Sequence, residues 1–337
     1  MKKRIICLSV IIISLLTSLM SCKTDSRGLL PVITGKAGEL VIVVADKYWE
    51  SKIGDSLRTV FAAQQIALPQ FGTVGGEVIF DIINMPQAGF KDIIRGHRNI
   101  IVTSISSEYK EAKIVVKKDY WAKGQILVSM NAPNQDSFIK LLDDNKEQLV
   151  EKILKAERER QIRINKKYEN SEAARQLSQN HELTLNAPKG FNIVVDNENF
   201  VWFKHETNDM TQNIIIYYQD FPGLDIFNSH DILRIRDSVL QVRVPGDKDG
   251  SYMTTERRPW APIYSQEIKI NNRYTYILRG LWRVNGDSMG GPFVSYTTVD
   301  EKRNRLVTIE GFVYRPNKPK RNAIRKVESI ICTLAFN

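Results

Sequence analysis

The spacing of hydrophobic positions predicts alternating strands and helices in the first part of the chain. Residues 39–44 are predicted to form a buried strand, because an unbroken apolar run covers residues 40–44, and apolar residues then recur at helical spacing from Trp49 to Phe61. Further strands are predicted over residues 78–83, 99–103, 113–117 and 125–130, with a short helix over residues 90–94. The order β-α-β-α-β-β-β predicts a small α/β sandwich over residues 37–133.

A long helix is predicted next. It opens at Asn134 or Asp136, because apolar residues recur on one face from Phe138 to Ala156. Beyond Ala156 the apolar stripe fades, and acidic and basic residues stand at spacings that pair them across one turn. We therefore expect residues 134–180 to form a long connector helix whose last part, residues 157–180, is solvated, in preference to a helix that binds a partner.

In the last part of the chain the hydrophobic period changes to two. Strands are predicted over residues 183–185, 191–195, 200–204, 213–219, 264–270, 274–284, 293–299 and 306–314, and helices over residues 229–242 and 320–334. Short polar turns such as Asn271-Asn272 favour an antiparallel sheet. The whole pattern predicts an α+β protein with an N-terminal α/β sandwich, a long connecting helix and, over residues 181–337, an antiparallel sheet flanked by helices.

The first 21 residues have the pattern of an export signal. Three basic residues at positions 2–4 precede an apolar run over residues 5–16, which is too short to span a bilayer. The string Leu19-Met20-Ser21-Cys22 resembles the lipobox that is cut before a cysteine, which then carries lipid. We expect lipid attachment at Cys22, with residues 22–36 as a tether to the membrane.

Charge and cysteine content fit an exported protein. Without the signal, 316 residues remain with 45 basic and 38 acidic side chains, a net charge of +7. This surplus suits contact with anionic lipid headgroups or other acidic polymers, whereas no nucleic-acid-binding motif is present. Cys332 is then the single free thiol, so no intramolecular disulfide is expected. Its apolar surroundings favour a buried, inert thiol over a nucleophile.

Two strings resemble nucleophile motifs of serine hydrolases. Gly54-Asp55-Ser56-Leu57 matches the block of GDSL hydrolases, but it falls in or beside a helix instead of directly after the first strand. Gly286-Asp287-Ser288-Met289-Gly290-Gly291-Pro292 resembles the serine signature of trypsin-like proteases with Met289 inserted. No histidine stands in a matching context, so neither Ser56 nor Ser288 has an evident base. We therefore assign no catalytic residue and keep a serine hydrolase acting on envelope polymers or lipids as the alternative function.

Aromatic residues are concentrated in the predicted C-terminal sheet. Trp260, Trp282, Tyr276 and Tyr296 are the candidates for binding a glycan or small molecule, since exposed aromatic rings stack on such ligands. The alternative is that aromatic residues are simply favoured in strands. Four scattered histidines and one thiol give no metal-ligand cluster, and no cofactor motif is present.

Together with the lipobox, the stretches LPVITGKAGEL (residues 30–40) and RGLWRVNGDSMGGPF (residues 279–293) resemble an uncharacterised lipoprotein family of Bacteroidota, a domain of unknown function (DUF4837). The resemblance extends over essentially the whole mature chain. It implies a Gram-negative envelope with location at the outer membrane, and it transfers no catalytic residue. Lys23-Thr24-Asp25 is at best a weak form of the acidic signal for surface export, so we expect the protein to face the periplasm.

The order of elements over residues 181–337 is also similar to the PsbP-like fold, whose members are mostly accessory or assembly modules. We therefore expect a non-catalytic, lipid-anchored binding or assembly module. Its partners would be the membrane, through the lipid, and an envelope protein or glycan, with no nucleic acid and no cofactor.

Overall fold

Two β-sheets, one in each half of the chain, organise the molecule. The computed structural model describes residues 30–68 and 76–337. The predicted signal, Cys22 and the first part of the tether lie outside the described residues, so lipid attachment stays a prediction. The α+β class, with a mixed N-terminal sheet, a long helix and an antiparallel C-terminal sheet, is confirmed.

The N-terminal sheet has five strands in the order β2-β1-β3-β5-β4. These are β1 Glu39–Val43, β2 Asp81–Met85, β3 Asn99–Ile105, β4 Lys113–Lys118 and β5 Ile126–Ala132. All neighbours are parallel except β4, which is antiparallel to β5. The strand predicted over residues 78–83 begins later, because the amides of Ile79 and Phe80 donate to the carbonyls of Ala63 and Phe61 instead of joining the sheet.

Two short helices follow β1 where one helix was predicted. They are α1 Asp46–Trp49 and α2 Lys52–Phe61, separated by Ser51, whose hydroxyl caps α2 by accepting from the amide of Ile53 at 3.2 Å. The predicted short helix around residue 92 is present as two 3₁₀ turns, Gln87–Gly89 and Asp92–Gly96.

The long predicted helix is divided in two. α3 Gln135–Lys167 opens at Asn134, whose side chain accepts from the amide of Ser137 at 2.9 Å. α4 Ser171–His181 follows after a break of three residues, because the amide of Asn170 donates to the carbonyl of Ala187 and its side chain caps α4.

One face of the second half of α3 is buried, although the prediction was a solvated helix. Glu157 and Arg160 are buried, and their side chains meet at 2.7 Å. Glu157 also accepts from Arg98 at 2.7 Å and from Asn99 at 2.6 Å, while Arg160 donates to the carbonyl of Gly124 at 2.7 Å. These charges pair with groups at the start of β3 and before β5, so they attach the helix to the N-terminal sheet.

The C-terminal sheet has eight strands in the order β10-β12-β13-β14-β9-β8-β7, with β11 also paired to β12. They are β7 Asn192–Asn197, β8 Phe200–Thr207, β9 Met210–Asp220, β10 Tyr252–Thr255, β11 Tyr264–Ile270, β12 Arg273–Asn285, β13 Gly290–Asp300 and β14 Arg305–Tyr314. β6 Leu183–Thr184 and β15 Ala335–Phe336 form a separate pair. All pairings in this half are antiparallel.

Helices cover both faces of the C-terminal sheet. α5 Ser229–Arg243 packs on one face, where Arg236 and Glu310 form a fully buried ion pair at 2.7 Å. α6 Arg321–Ile331 packs on the other face and also contacts α3. Gly311 permits this approach, since a Cβ there would lie 2.0 Å from Cγ1 of Val327.

The start of α6 is held by the N-terminal half. The carboxylate of Glu77 accepts from the amides of Lys320 and Arg321 at 2.7 and 2.8 Å, which caps the helix from a distant part of the sequence. The guanidinium of Arg321 pairs with Asp81 at 2.6 Å. α6 therefore fixes how the two halves meet.

Candidate functional site: a cleft between the two halves

A cleft of about 950 Å³ lies where α2 and α3 of the N-terminal half face α6 and β11 of the C-terminal half. Its volume lies in the range of sites that bind drug-sized molecules. Aliphatic side chains from three sequence segments form its apolar walls: Val60, Ala63, Ile66, Ile79, Val150 and Leu154. Tyr264 and Ser265 of the edge strand β11 stand on the opposite side.

Charged groups from three different elements line the cleft beyond these walls. Arg279 of β12 forms an ion pair with Glu328 of α6, and Arg158 of α3 lies beside them. The hydroxyl of Tyr296 donates to Glu328 at 2.7 Å. Burial alone would raise the pKa of Glu328, but the two guanidinium groups and the Tyr296 hydroxyl outweigh it, so this pKa lies below its ordinary value. Glu328 is therefore ionised at neutral pH.

Arg325 is the cation of the cleft whose hydrogen bonds are incomplete. Its Nη2 donates to Gln65 at 2.5 Å and to the carbonyl of Ile79 at 2.9 Å. Its Nη1 is buried and makes no hydrogen bond with any described residue. Burial and the neighbouring Arg321 lower the pKa of Arg325 to about 10, so the group stays charged at neutral pH. A charged donor left without an acceptor costs stability. The Arg325 side chain as a whole is partly exposed on the cleft, so a turn of the guanidinium would present this nitrogen to a ligand there.

The outer part of the cleft carries mainly acidic side chains. Four exposed acidic residues line it, one on α2 and three on α3: Asp55, Asp143, Glu147 and Glu151. The interior that they surround has more cations than anions. It is lined by Arg158, Arg279, Arg325 and Lys326, and by two glutamates whose pKa values lie below the ordinary value, Glu157 and Glu328. The interior therefore favours an anion, whereas the rim repels a polyanion.

Ser56 lies on this cleft, but the geometry does not make it a nucleophile. The Gly54-Asp55-Ser56-Leu57 string is inside α2, as the sequence predicts, and no histidine is among the described residues that line the cleft. Packing requires a glycine at position 54, since a Cβ there would lie 1.8 Å from the carbonyl oxygen of Trp49. The close contact of α1 and α2 therefore accounts for the glycine of this string without any catalytic role.

Ser288 lies on the exposed turn between β12 and β13. Its hydroxyl donates to Asp287 at 3.3 Å, and its amide donates to the same carboxylate at 2.5 Å. This is a capped turn that joins two strands. Neither serine therefore has, within residues 30–68 and 76–337, the base that a serine hydrolase requires.

The four candidate aromatic residues do not form one exposed surface. Trp282 and Tyr276 are buried on the α5 face of the sheet, and Tyr296 is buried on the α6 face. Trp260 is 36% exposed, with the Arg258 guanidinium 4.6 Å from its ring centre. Of the four, Tyr296 has its hydroxyl on the charged cluster of the cleft, and the other three lie apart from it.

Cys332 stands behind the same cluster. Its sulfur lies 3.4 Å from the Tyr296 hydroxyl and 3.9 Å from Nη1 of Arg158. Burial and the nearby Glu328 raise the pKa of the thiol, which therefore stays protonated at neutral pH. This agrees with the inert thiol predicted from the sequence.

The sequence did not reveal the charged residues of the cleft. One signal was present: strict alternation along β12 places Arg279 on the same face as the buried Ile277, where an arginine is unexpected without a partner. Among the described residues, no cluster of three metal-ligating side chains occurs. In that part of the chain no helix is both long and apolar enough to cross a bilayer.

Comparison with family models divides the chain in two. Residues 170–333 match a domain of unknown function, DUF4837, which confirms that resemblance for the C-terminal half. Residues 34–166 match a second domain of unknown function, DUF8532. The two matches meet at the break between α3 and α4, and the cleft is lined by residues of both.

No curated protein matches the chain significantly. Among solved structures, the Saccharomyces cerevisiae Ran-binding protein Mog1p is 8% identical, with a TM-score of 0.30, over 46% of this chain and 90% of that one. A point mutant of protein Mog1 is 9% identical, with a TM-score of 0.31 and the same coverage. Likenesses this remote add nothing to the functional assignment.

Proposed function

The chain carries a DUF4837 domain over residues 170–333, and from that premise we propose that it is a non-catalytic binding module whose ligand is a small organic anion held in the cleft. The observation that carries this proposal is Arg325, a partly exposed arginine of the cleft lining whose Nη1 is a charged donor with no hydrogen-bond partner among the described residues. A carboxylate or phosphate oxygen is the acceptor that such a donor requires.

The apolar walls specify the rest of the ligand. A molecule whose anionic group reaches Arg325 would lay its body between Ile79 of one wall and Val150 and Leu154 of another. Burial of apolar surface there contributes about 25 cal/mol per Å². The ligand class is therefore an amphipathic molecule with one anionic end, such as a fatty acid or a lysophospholipid.

Anchoring is the second part of the proposal. The basic start, the apolar run and the string that ends at Cys22 support an exported lipoprotein held at the outer membrane and facing the periplasm. A lipid-anchored module with an amphiphile site suits a role in binding or assembly at the envelope. We also propose an envelope protein or glycan as a second partner of the module.

Titration with anilinonaphthalene sulfonate, a fluorescent amphiphile with one anionic group, tests the cleft. We expect saturable binding of one dye per chain, and Arg325→Gln should weaken it by about tenfold, since a charge-assisted hydrogen bond contributes about 1.5 kcal/mol or more. Decanoate should displace the dye, whereas a cationic amphiphile of the same chain length should not.

The matched control is Arg257→Gln. Arg257 is an exposed arginine paired with Asp237 beside α5, away from the cleft, and its loss should leave dye affinity unchanged. Thermal melting of each variant shows whether it is folded. A folded Arg325→Gln variant that binds the dye as the wild type does would refute the proposed site.

A further inference from the structure

α2 and α3 cover one face of the N-terminal sheet, and its second face is covered differently. Val41, Val43, Ile100 and Leu127 point to this face, away from α2 and α3. In the described chain, loop side chains pack on them where helices would be expected, chiefly Phe90, Ile94 and Trp121. Part of this cover is itself exposed to solvent.

The exposed part combines aromatic rings with cations. The ring centres of Phe90 and Trp121 are 5.5 Å apart, and those of Tyr120 and Trp121 are 4.7 Å apart. The Arg95 guanidinium lies 5.8 Å from the Trp121 ring centre, and Nζ of Lys117 lies 4.3 Å from that of Tyr120. Rings with an apolar body and a polar edge, flanked by cations, are typical of surfaces at the level of lipid headgroups.

Large apolar side chains stand exposed at the same place. Ile93 is 78% exposed on the 3₁₀ turn between Phe90 and Arg95, and Tyr120 is 46% exposed. Lys91 and Lys123 add two exposed cations to those of Arg95 and Lys117. The carboxylate of Asp119, on the same loop, accepts from the amide of Gly124. The surface therefore offers apolar groups for insertion within a cationic surround.

The segment that leads back to Cys22 leaves from this corner. Val32, 79% exposed, forms a β-bridge with Lys123, and the Lys123 amide donates to the carbonyl of Pro31 at 2.8 Å. Roughly nine residues separate Cys22 from Pro31, and a chain of that length spans at most about 30 Å. A lipid on Cys22 would keep this corner of the molecule within that distance of the bilayer.

We propose that Phe90, Ile93, Arg95, Lys117, Tyr120 and Trp121 form a membrane-contact surface that binds anionic lipid headgroups. The inference rests on the proposed lipid anchor for its setting, but the surface itself has its own chemistry. Contact here directs the second face of the N-terminal sheet to the lipid. The cleft, on the other face of that sheet, then stays open to ligand.

Co-sedimentation with vesicles of phosphatidylglycerol and phosphatidylcholine tests the surface. The protein is the chain from residue 22 with Cys22→Ser, so that no lipid tether contributes. Two cations near a charged bilayer are expected to strengthen binding by tenfold or more. The double variant Arg95→Gln/Lys117→Gln should therefore bind at least tenfold more weakly, and vesicles of phosphatidylcholine alone should bind the unsubstituted chain weakly.

The matched control is Lys140→Gln/Lys248→Gln, which removes two exposed cations elsewhere on the molecule. If both double variants weaken vesicle binding equally, net charge alone explains the binding, and the proposed membrane-contact surface is refuted. In a second measurement, brominated lipid should quench tryptophan fluorescence, and Trp121→Phe should abolish most of that quenching. Quenching that persists in this variant would also overturn it.

Separate measurements test the membrane-contact surface and the lipid anchor at Cys22, so either hypothesis can be refuted without the other. Mass spectrometry of the natively expressed protein reports lipid on Cys22 whatever the vesicle result. If Cys22 carries lipid but the Cys22→Ser chain does not bind vesicles, only the proposed membrane-contact surface is refuted. If the chain binds vesicles but Cys22 carries no lipid, the proposed lipid anchor is refuted and the membrane-contact surface is retained.

Discussion

Glu310→Ala is expected to lower the free energy of unfolding by about 3–5 kcal/mol, because it leaves a fully buried guanidinium with only the Asp237 carboxylate, 3.4 Å away, as a counter-charge. Arg236 and Glu310 are both fully buried, and two parallel hydrogen bonds of 2.7 Å join them. A third arginine nitrogen donates to Thr255 at 2.7 Å, and the Phe293 ring centre lies 3.8 Å from the guanidinium. Chemical denaturation, followed by circular dichroism, measures the loss.

The control for this prediction is an exposed ion pair. Asp209→Ala removes the partner of Arg315 and Lys318 on the surface and should change the free energy of unfolding far less than Glu310→Ala does. The double variant Arg236→Met/Glu310→Leu should recover most of the stability lost in Glu310→Ala, since it removes both charges together. A cost of under 1 kcal/mol for Glu310→Ala would show that the pair is not buried as described.

Glu328→Gln is expected to cost about 3 kcal/mol at neutral pH, since Arg279 and Arg158 then share no carboxylate. The cost should depend on pH. The pKa of Glu328 lies below its ordinary value of 4.5, so its charge contributes stability above that pH. This contribution is lost as the pH falls through the pKa of the folded state. The difference in stability between wild type and variant should therefore begin to shrink as the pH falls below about 4.5 and should disappear below the pKa of the folded state.

Denaturation curves at neutral pH and at several acidic values check that convergence. Glu206→Gln is a suitable control, because Glu206 pairs with Lys204 on the surface and is 62% exposed. Its small effect should hardly vary with pH. A Glu328→Gln penalty that stays constant into the acid range would contradict an ionised Glu328 in the folded protein.

Local patterns in the sequence predicted most elements, because their determinants lie close together in the chain. The predicted bounds of residues 264–270 are those of β11, and Asn134 is the cap of α3. The break between α3 and α4 was missed because it depends on the carbonyl of Ala187, which comes later in the sequence. β10 was missed because its four residues gain their pairing from the distant end of β12.

The cleft could not be predicted in the same way. Arg158, Arg279 and Arg325 stand on a helix of one half and on a strand and a helix of the other, and α6 brings them together by docking on the N-terminal half. The spacing of the charged residues on α3 is that of a solvated helix face, so it gave no sign that Glu157 and Arg160 are buried. The aromatic pattern pointed to Trp282 and Tyr276, which serve instead as core residues under α5.

Photo-crosslinking with a diazirine-bearing fatty acid tests the central claim most directly. The labelled chain is digested, and the modified peptides are identified by mass spectrometry. We expect saturable adducts on α2, the middle of α3 and α6, which unlabelled decanoate competes away and which are reduced in Arg325→Gln. Adducts confined to other surfaces, or labelling that is unchanged by decanoate, would contradict an anion-binding cleft between the two halves.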